Sequence, residues 1–145
     1  MKVVLQIVEE ASVEVEEKII GQIKKGYLLL VGIFDGDTDN NVRKMVEKIS
    51  KLRIFKDENG KTNLSLSTVG GSILSVSQFT LCADTEQGNR PSFVKSAKRE
   101  DAIRMYDLFN DELRNKGFLV ETGEFGAEMK VRLVNDGPFT LVLEN

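Results

Sequence analysis

The chain has 145 residues, a net charge of −3, 41% hydrophobic and 30% charged residues, one cysteine and no histidine. That size and balance suit one soluble domain spanning 1–145 with a core of its own, and no apolar run approaches the ~20 residues of a membrane helix. Without histidine there can be no Ser-His-Asp triad, Cys-His pair or histidine-held metal within the chain, so chemistry must come from hydroxyls, carboxylates, amides, lysine, backbone groups or the substrate itself.

The opening "MKVVLQIVEE" reads as a strand, too short and too soon charged for a signal peptide. "SVEVEEKIIGQI" continues in β fashion, with Gly21 and Gly26 as punctuation, and "GYLLLVGIF" reads as a strand buried on both faces. The period then changes. Val42, Met45, Val46, Ile49 and Leu52 recur at three- and four-residue steps, which predicts a helix after an Asp37/Thr38 cap, with Lys44, Lys48 and Lys51 on its solvated side. Asn59-Gly60 signals a hairpin. "GGSILSVSQFTL" is another β run, "CADTEQGNRPSF" a polar loop, and a second helix runs from about Lys98 to Lys116 with Ile103, Tyr106, Phe109 and Leu113 on one side. In the tail, Asp136-Gly137 between apolar residues reads as a turn joining two strands, with Pro138 fixing φ after it. The expected fold class is α+β: a single domain, mostly antiparallel β-sheet, barrel-like, with two helices.

Candidate chemistry is sparse. Ser77 and Thr80, at a strand end, are hydrogen-bonding groups rather than nucleophiles, because no general base accompanies them. Pattern alone also allows them to alternate idly with buried Phe79 and Leu81. Cys82 reads as a small buried hydrophobe, and its solitary state fits a reducing cytoplasm. Glu121, Glu124 and Glu128 could pair for acid–base work, although spaced acids around glycines are commonly solvated. Arg90, Lys95, Lys98, Arg99 and Arg104 gather positive charge beside the Ser77–Leu81 strand end, as a phosphate patch or simply an exposed helix start. The overall charge does not announce a nucleic-acid binder, yet a local patch is enough to engage phosphates.

"SQFTL" at 77–81 and "NDGPFT" at 135–140, taken with "GNRPSF" at 88–93 and "TGEFGAEM" at 122–129, resemble the signatures of the D-aminoacyl-tRNA deacylase family, in order and over nearly the whole chain. Two positions depart from that pattern: Ile7 stands where the family commonly has arginine, and Glu124 where a basic residue is more usual. The resemblance implies a cytoplasmic, homodimeric hydrolase that cuts the ester between a D-amino acid and the 3′-terminal adenosine of tRNA. Neither metal nor cofactor is implied, and neither DNA nor membrane is a partner. It implies that Ser77, Gln78 and Thr80 are catalytic and that Phe79 lines the pocket. Gly137 and Pro138, joined by a cis peptide, would enter from the other subunit and reject L-amino acids by collision. A non-catalytic module that binds the tRNA end is the alternative.

Overall fold

The computed structural model describes residues 1–145. Its strands are β1 (Lys2–Val15), β2 (Lys18–Ile23), β3 (Gly26–Gly32), β4 (Arg53–Lys56), β5 (Thr62–Ser65), β6 (Ser72–Ser77), β7 (Val120–Thr122) and β8 (Lys130–Glu144). Its helices are α1 (Asp39–Lys51) and α2 (Arg99–Asn115). The expected α+β class, with two helices and a sheet that nearly closes on itself, is what the chain adopts.

Strand β1 organises the sheet. Along one edge its first half pairs with β3 and its second half with β2, while β8 pairs along the other edge, all antiparallel. Strands β3, β6 and β7 then run parallel, which requires crossovers. Helix α1 with the β4–β5 hairpin supplies the first crossover and α2 the second. Both helices pack their apolar stripes (Val42, Met45, Val46 and Ile49; Met105, Phe109 and Leu113) onto Val3, Leu5, Tyr27, Leu29, Val31 and Ile73.

The opposite sheet face is not left to water. Leu28, Leu74 and Val76, which alternate with the helix-facing residues, pack with Val8, Ala11, Val13 and Ile23, where β1 and β2 fold across the back. This is why β3 is buried on both faces. Gly21 lies so close to β7 that a Cβ there would come within 3.0 Å of the Thr122 carbonyl oxygen.

Three local expectations need correcting. The β1–β2 turn falls at Glu16-Glu17, both with positive φ, inside a stretch that reads as uninterrupted β. Strand β6 ends at Ser77, and Phe79–Cys82 forms a 3-10 turn instead of continuing the strand. The tail is not a hairpin. Thr140–Glu144 and Lys130–Asn135 both lie along β1 in one direction, and between the pairs Gln6–Thr140 and Val8–Asn135 the four residues Asp136–Phe139 stand opposite Ile7 alone. They form an outward excursion from a continuous strand, a bulge rather than a reversal.

Candidate active site

The C-terminal ends of parallel β3 and β6 carry the cleft. Ser77 is in register with Val31, and the Gln78 N–H donates to the Val31 carbonyl at 2.7 Å, so the chain leaves the sheet only after that bond. The following turn is closed by bonds from Leu81 to Gln78 and from Ala83 to Thr80. The N–H groups of Phe79 and Thr80, at the start of this turn, therefore stand outside its ladder. Gln78 Nε2 donates to the Thr80 hydroxyl, which couples the two side chains.

Ser77, Gln78 and Phe79 line a cleft of about 500 Å³ whose other walls come from the α2 start and the 122–129 loop. Sequence reasoning did not place Tyr106, Phe125 or Met129 there. Tyr106 sits on the apolar stripe of α2, so its pattern advertises core packing. Its hydroxyl donates to the Ser75 carbonyl at 2.8 Å, and burial holds its pKa above the ordinary tyrosine value. Arg99 of the expected patch lines the cleft with Ser77, Gln78 and Phe79 and lies over the Phe125 ring, 5.7 Å from its centroid. Two neighbours of that patch are neutralised, Lys95 by Asp84 and Arg104 by Asp39. At the mouth, Phe79 and Phe93 meet edge to face at 5.0 Å, and both are exposed.

The other candidates fall away. Cys82 is buried, donates its thiol to the Ile33 carbonyl, and has its pKa raised by burial, so it makes a poor thiolate. Glu121, Glu124 and Glu128 do not line the cleft. No three His, Cys, Asp or Glu side chains gather where they could hold a metal ion.

Gly137 and Pro138 are joined by a cis peptide bond. Gly137 has φ +135°, and a Cβ there would lie 2.9 Å from the Phe139 nitrogen, so only glycine fits without strain. Asn135 pins the excursion: its Oδ1 accepts from the Phe139 N–H at 2.9 Å and its Nδ2 donates to the Thr140 hydroxyl at 3.1 Å. Gln6 Nε2 donates to that same hydroxyl at 3.2 Å. Ile7, opposite the excursion, is buried in the core.

These residues are absent from the cleft of their own chain. Three strand spacings separate β8 from β6, roughly 14 Å, and Ser77 is level with Val3 while the excursion begins beyond Gln6, another ~10 Å along the strands. Measured along the curved sheet, the two signature motifs are thus roughly 17 Å apart within one chain.

Comparison with known proteins decides the family. The model of the family described as D-Tyr-tRNA(Tyr) deacylase matches residues 4–144. The chain belongs to that family. A D-aminoacyl-tRNA deacylase from Lactobacillus gasseri is 57% identical over 144 residues, covering 99% of both chains. A solved structure described as the c-Myc DNA Unwinding Element Binding Protein is 42% identical, with a TM-score of 0.94 over 100% of this chain and 99% of that one. Another, of a probable eukaryotic D-amino acid tRNA deacylase, shares the fold at 19% identity, with a TM-score of 0.85 over 98% of this chain and 97% of that one.

Proposed function

We infer that the chain is a D-aminoacyl-tRNA deacylase, hydrolysing the ester between a D-amino acid and the 3′-terminal adenosine of tRNA. The observation that carries this reading is the turn after β6. It leaves the N–H groups of Phe79 and Thr80 outside the turn's ladder where Ser77, Gln78 and Phe79, though not Thr80, line a cleft with no acid–base pair. Two adjacent free donors suit the oxyanion of a tetrahedral intermediate, the charge that develops when an ester is attacked. Gln78 and Thr80 orient the substrate's amino group, ribose or attacking water, and the ribose 2′-hydroxyl supplies the base that the protein lacks. Catalysis is then positioning with substrate assistance.

Gly137-Pro138 completes the site from a second subunit. Two features support this. The excursion lines no part of its own chain's cleft, and β8 is an edge strand with Leu133, Val134 and Val142 exposed. An edge of that length is normally covered, and a second copy of the chain covers it while bringing in the loop. From there the loop occupies the side where an L side chain projects, so discrimination needs no grip on the D side chain. Glycine, with no side chain on either face, is accepted.

The direct test is release of tyrosine from D-tyrosyl-tRNA and L-tyrosyl-tRNA at sub-stoichiometric protein. Many turnovers on the D substrate alone are expected. Binding without turnover would instead mark the chain as a module that holds the tRNA end.

A further inference from the structure

Lys44, Lys48 and Lys51 look, in the sequence, like the solvated side of α1. The structure adds cations from other elements to that side. Arg43, Lys44, Lys48 and Lys51 of α1 share one groove of about 730 Å³ with Arg53 of β4 and Lys116, just past α2. Only two carboxylates, Glu47 and Glu112, line it. The groove holds net +4 (six cations against two carboxylates) in a chain of net −3, so everything else carries −7.

Glu47 is shared between Lys51 and Lys116, and Glu112 faces the Arg43 Nε at 3.4 Å. Lys44 and Lys48 take part in no ion pair. Like charges at four-residue helical spacing repel, and no carboxylate pairs directly with either lysine. A polyanion relieves that repulsion.

The groove also lies in line with the cleft. Helices α1 and α2 run side by side in one direction, tied successively by Asp39–Arg104, Arg43–Glu112 and Glu47–Lys116. Arg99, at the start of α2, lines the cleft, and Lys116, past its end, lines the groove. Seventeen helical residues place them ~25 Å apart. With phosphates ~3.4 Å apart along a stacked strand, that gap takes on the order of seven nucleotides. A single aminoacylated adenosine cannot touch both places, whereas a tRNA whose 3′ end enters the cleft can.

We propose that the α1 groove binds the phosphate backbone of the tRNA body while its aminoacylated end occupies the cleft. This rests on the deacylase reading and adds where the rest of the substrate lies. The test compares wild type with the triple variant Lys44→Gln, Lys48→Gln, Lys51→Gln on D-tyrosyl-tRNA and on D-tyrosyl-adenosine at 50 and 200 mM salt. Three phosphate contacts make kcat/KM on tRNA fall roughly 20- to 40-fold over that fourfold rise in salt. The variant loses that part of the salt dependence and is slowed on tRNA at 50 mM by more than about 20-fold, while D-tyrosyl-adenosine is cut within twofold of wild type. An unchanged salt slope on tRNA, or equal losses on both substrates, overturns the proposal. If wild type cuts neither substrate, the deacylase reading fails separately. Uncharged tRNA binding, followed by fluorescence anisotropy, then decides the groove: salt-dependent weakening in the variant upholds it, and identical binding refutes it.

Discussion

The turn Ser77–Thr80 and the excursion Asp136–Phe139 are both short polar interruptions at strands, yet they are held in opposite ways. The first is anchored from inside: β6 behind it is flanked by β3 and β7, and Ile73, Leu74 and Val76 are buried. The second hangs from an edge strand on side-chain bonds of Asn135, Thr140 and Gln6, with most of β8 exposed. A motif fixed by the core is complete in one chain. One fixed at an edge presents a shape outward, to something else.

If that division is right, the outward motif rejects and the inward motif reacts. The largest effect should therefore be seen with substrate alone. In single turnover, glycyl-tRNA and D-alanyl-tRNA are hydrolysed, while L-alanyl-tRNA is at least about 100-fold slower, because even a methyl group meets the loop. If glycyl-tRNA proves as inert as L-alanyl-tRNA, the cleft must instead grip the D side chain, and the comparison breaks.

Gly137→Ala comes next. A side chain at that φ costs about 1–3 kcal/mol, which the excursion relieves by leaving its shape, so kcat/KM on L-tyrosyl-tRNA rises roughly 10- to 100-fold while D-tyrosyl-tRNA is still cut. The melting temperature shifts little, since the strand edge is exposed. Mixing this subunit with excess Gln78→Ala/Thr80→Ala subunit should restore D selectivity, because each active cleft then receives an intact loop from its partner. No recovery after verified subunit exchange would show that each chain builds its own site.

Smaller effects test the inward motif. Thr80→Ala removes an orienting hydroxyl worth about 1 kcal/mol, so the rate drops about five- to tenfold, and intact-mass measurement during turnover detects no acyl-enzyme. Tyr106→Phe leaves the shape of the pH–rate profile between pH 6 and 9 unchanged. Burial raises the Tyr106 pKa, so its hydroxyl is neutral throughout that window and has no proton to exchange there. An inflection that disappears in this variant would assign Tyr106 a catalytic proton transfer. Excess EDTA likewise leaves D-tyrosyl-tRNA hydrolysis intact, and loss of activity restored by a divalent ion would bring metal chemistry into the cleft.

What the sequence disclosed follows from the range of each signal. Val42, Met45, Val46 and Ile49 repeat within one helix, so α1 is legible from its own residues, and unbroken "GYLLLVG" announces a strand covered twice. Asp136-Gly137 misleads because a hairpin and a bulge share the same local chemistry. Only the partner strand, some 130 residues earlier, distinguishes them. Glu16-Glu17 carries no turn signature, since positive φ is ordinarily left to Gly, Asn or Asp. In "SQFTL" alternation imitates a strand where the chain in fact turns. At the site, Ser77, Gln78 and Phe79 were legible as a motif, but Tyr106 and Phe125 became cleft walls only when α2 and the 122–129 loop folded over the sheet end.

Strand β1 has a consequence for how this molecule can change over time. The segment Lys2–Val8 pairs with β3 on one side, which sets the level of Ser77, and, at every residue but Ile7, with β8 on the other, which sets the level of Gly137. It acts as a ruler shared by both motifs. Connections such as Asp57–Lys61 or Gln87–Pro91 can lengthen or shrink without moving either mark. Losing one residue from β1 shifts the two marks relative to each other by ~3.3 Å and turns every later side chain to the wrong face. The spacing that the reaction requires is therefore set by a stretch that contributes no residue to the cleft.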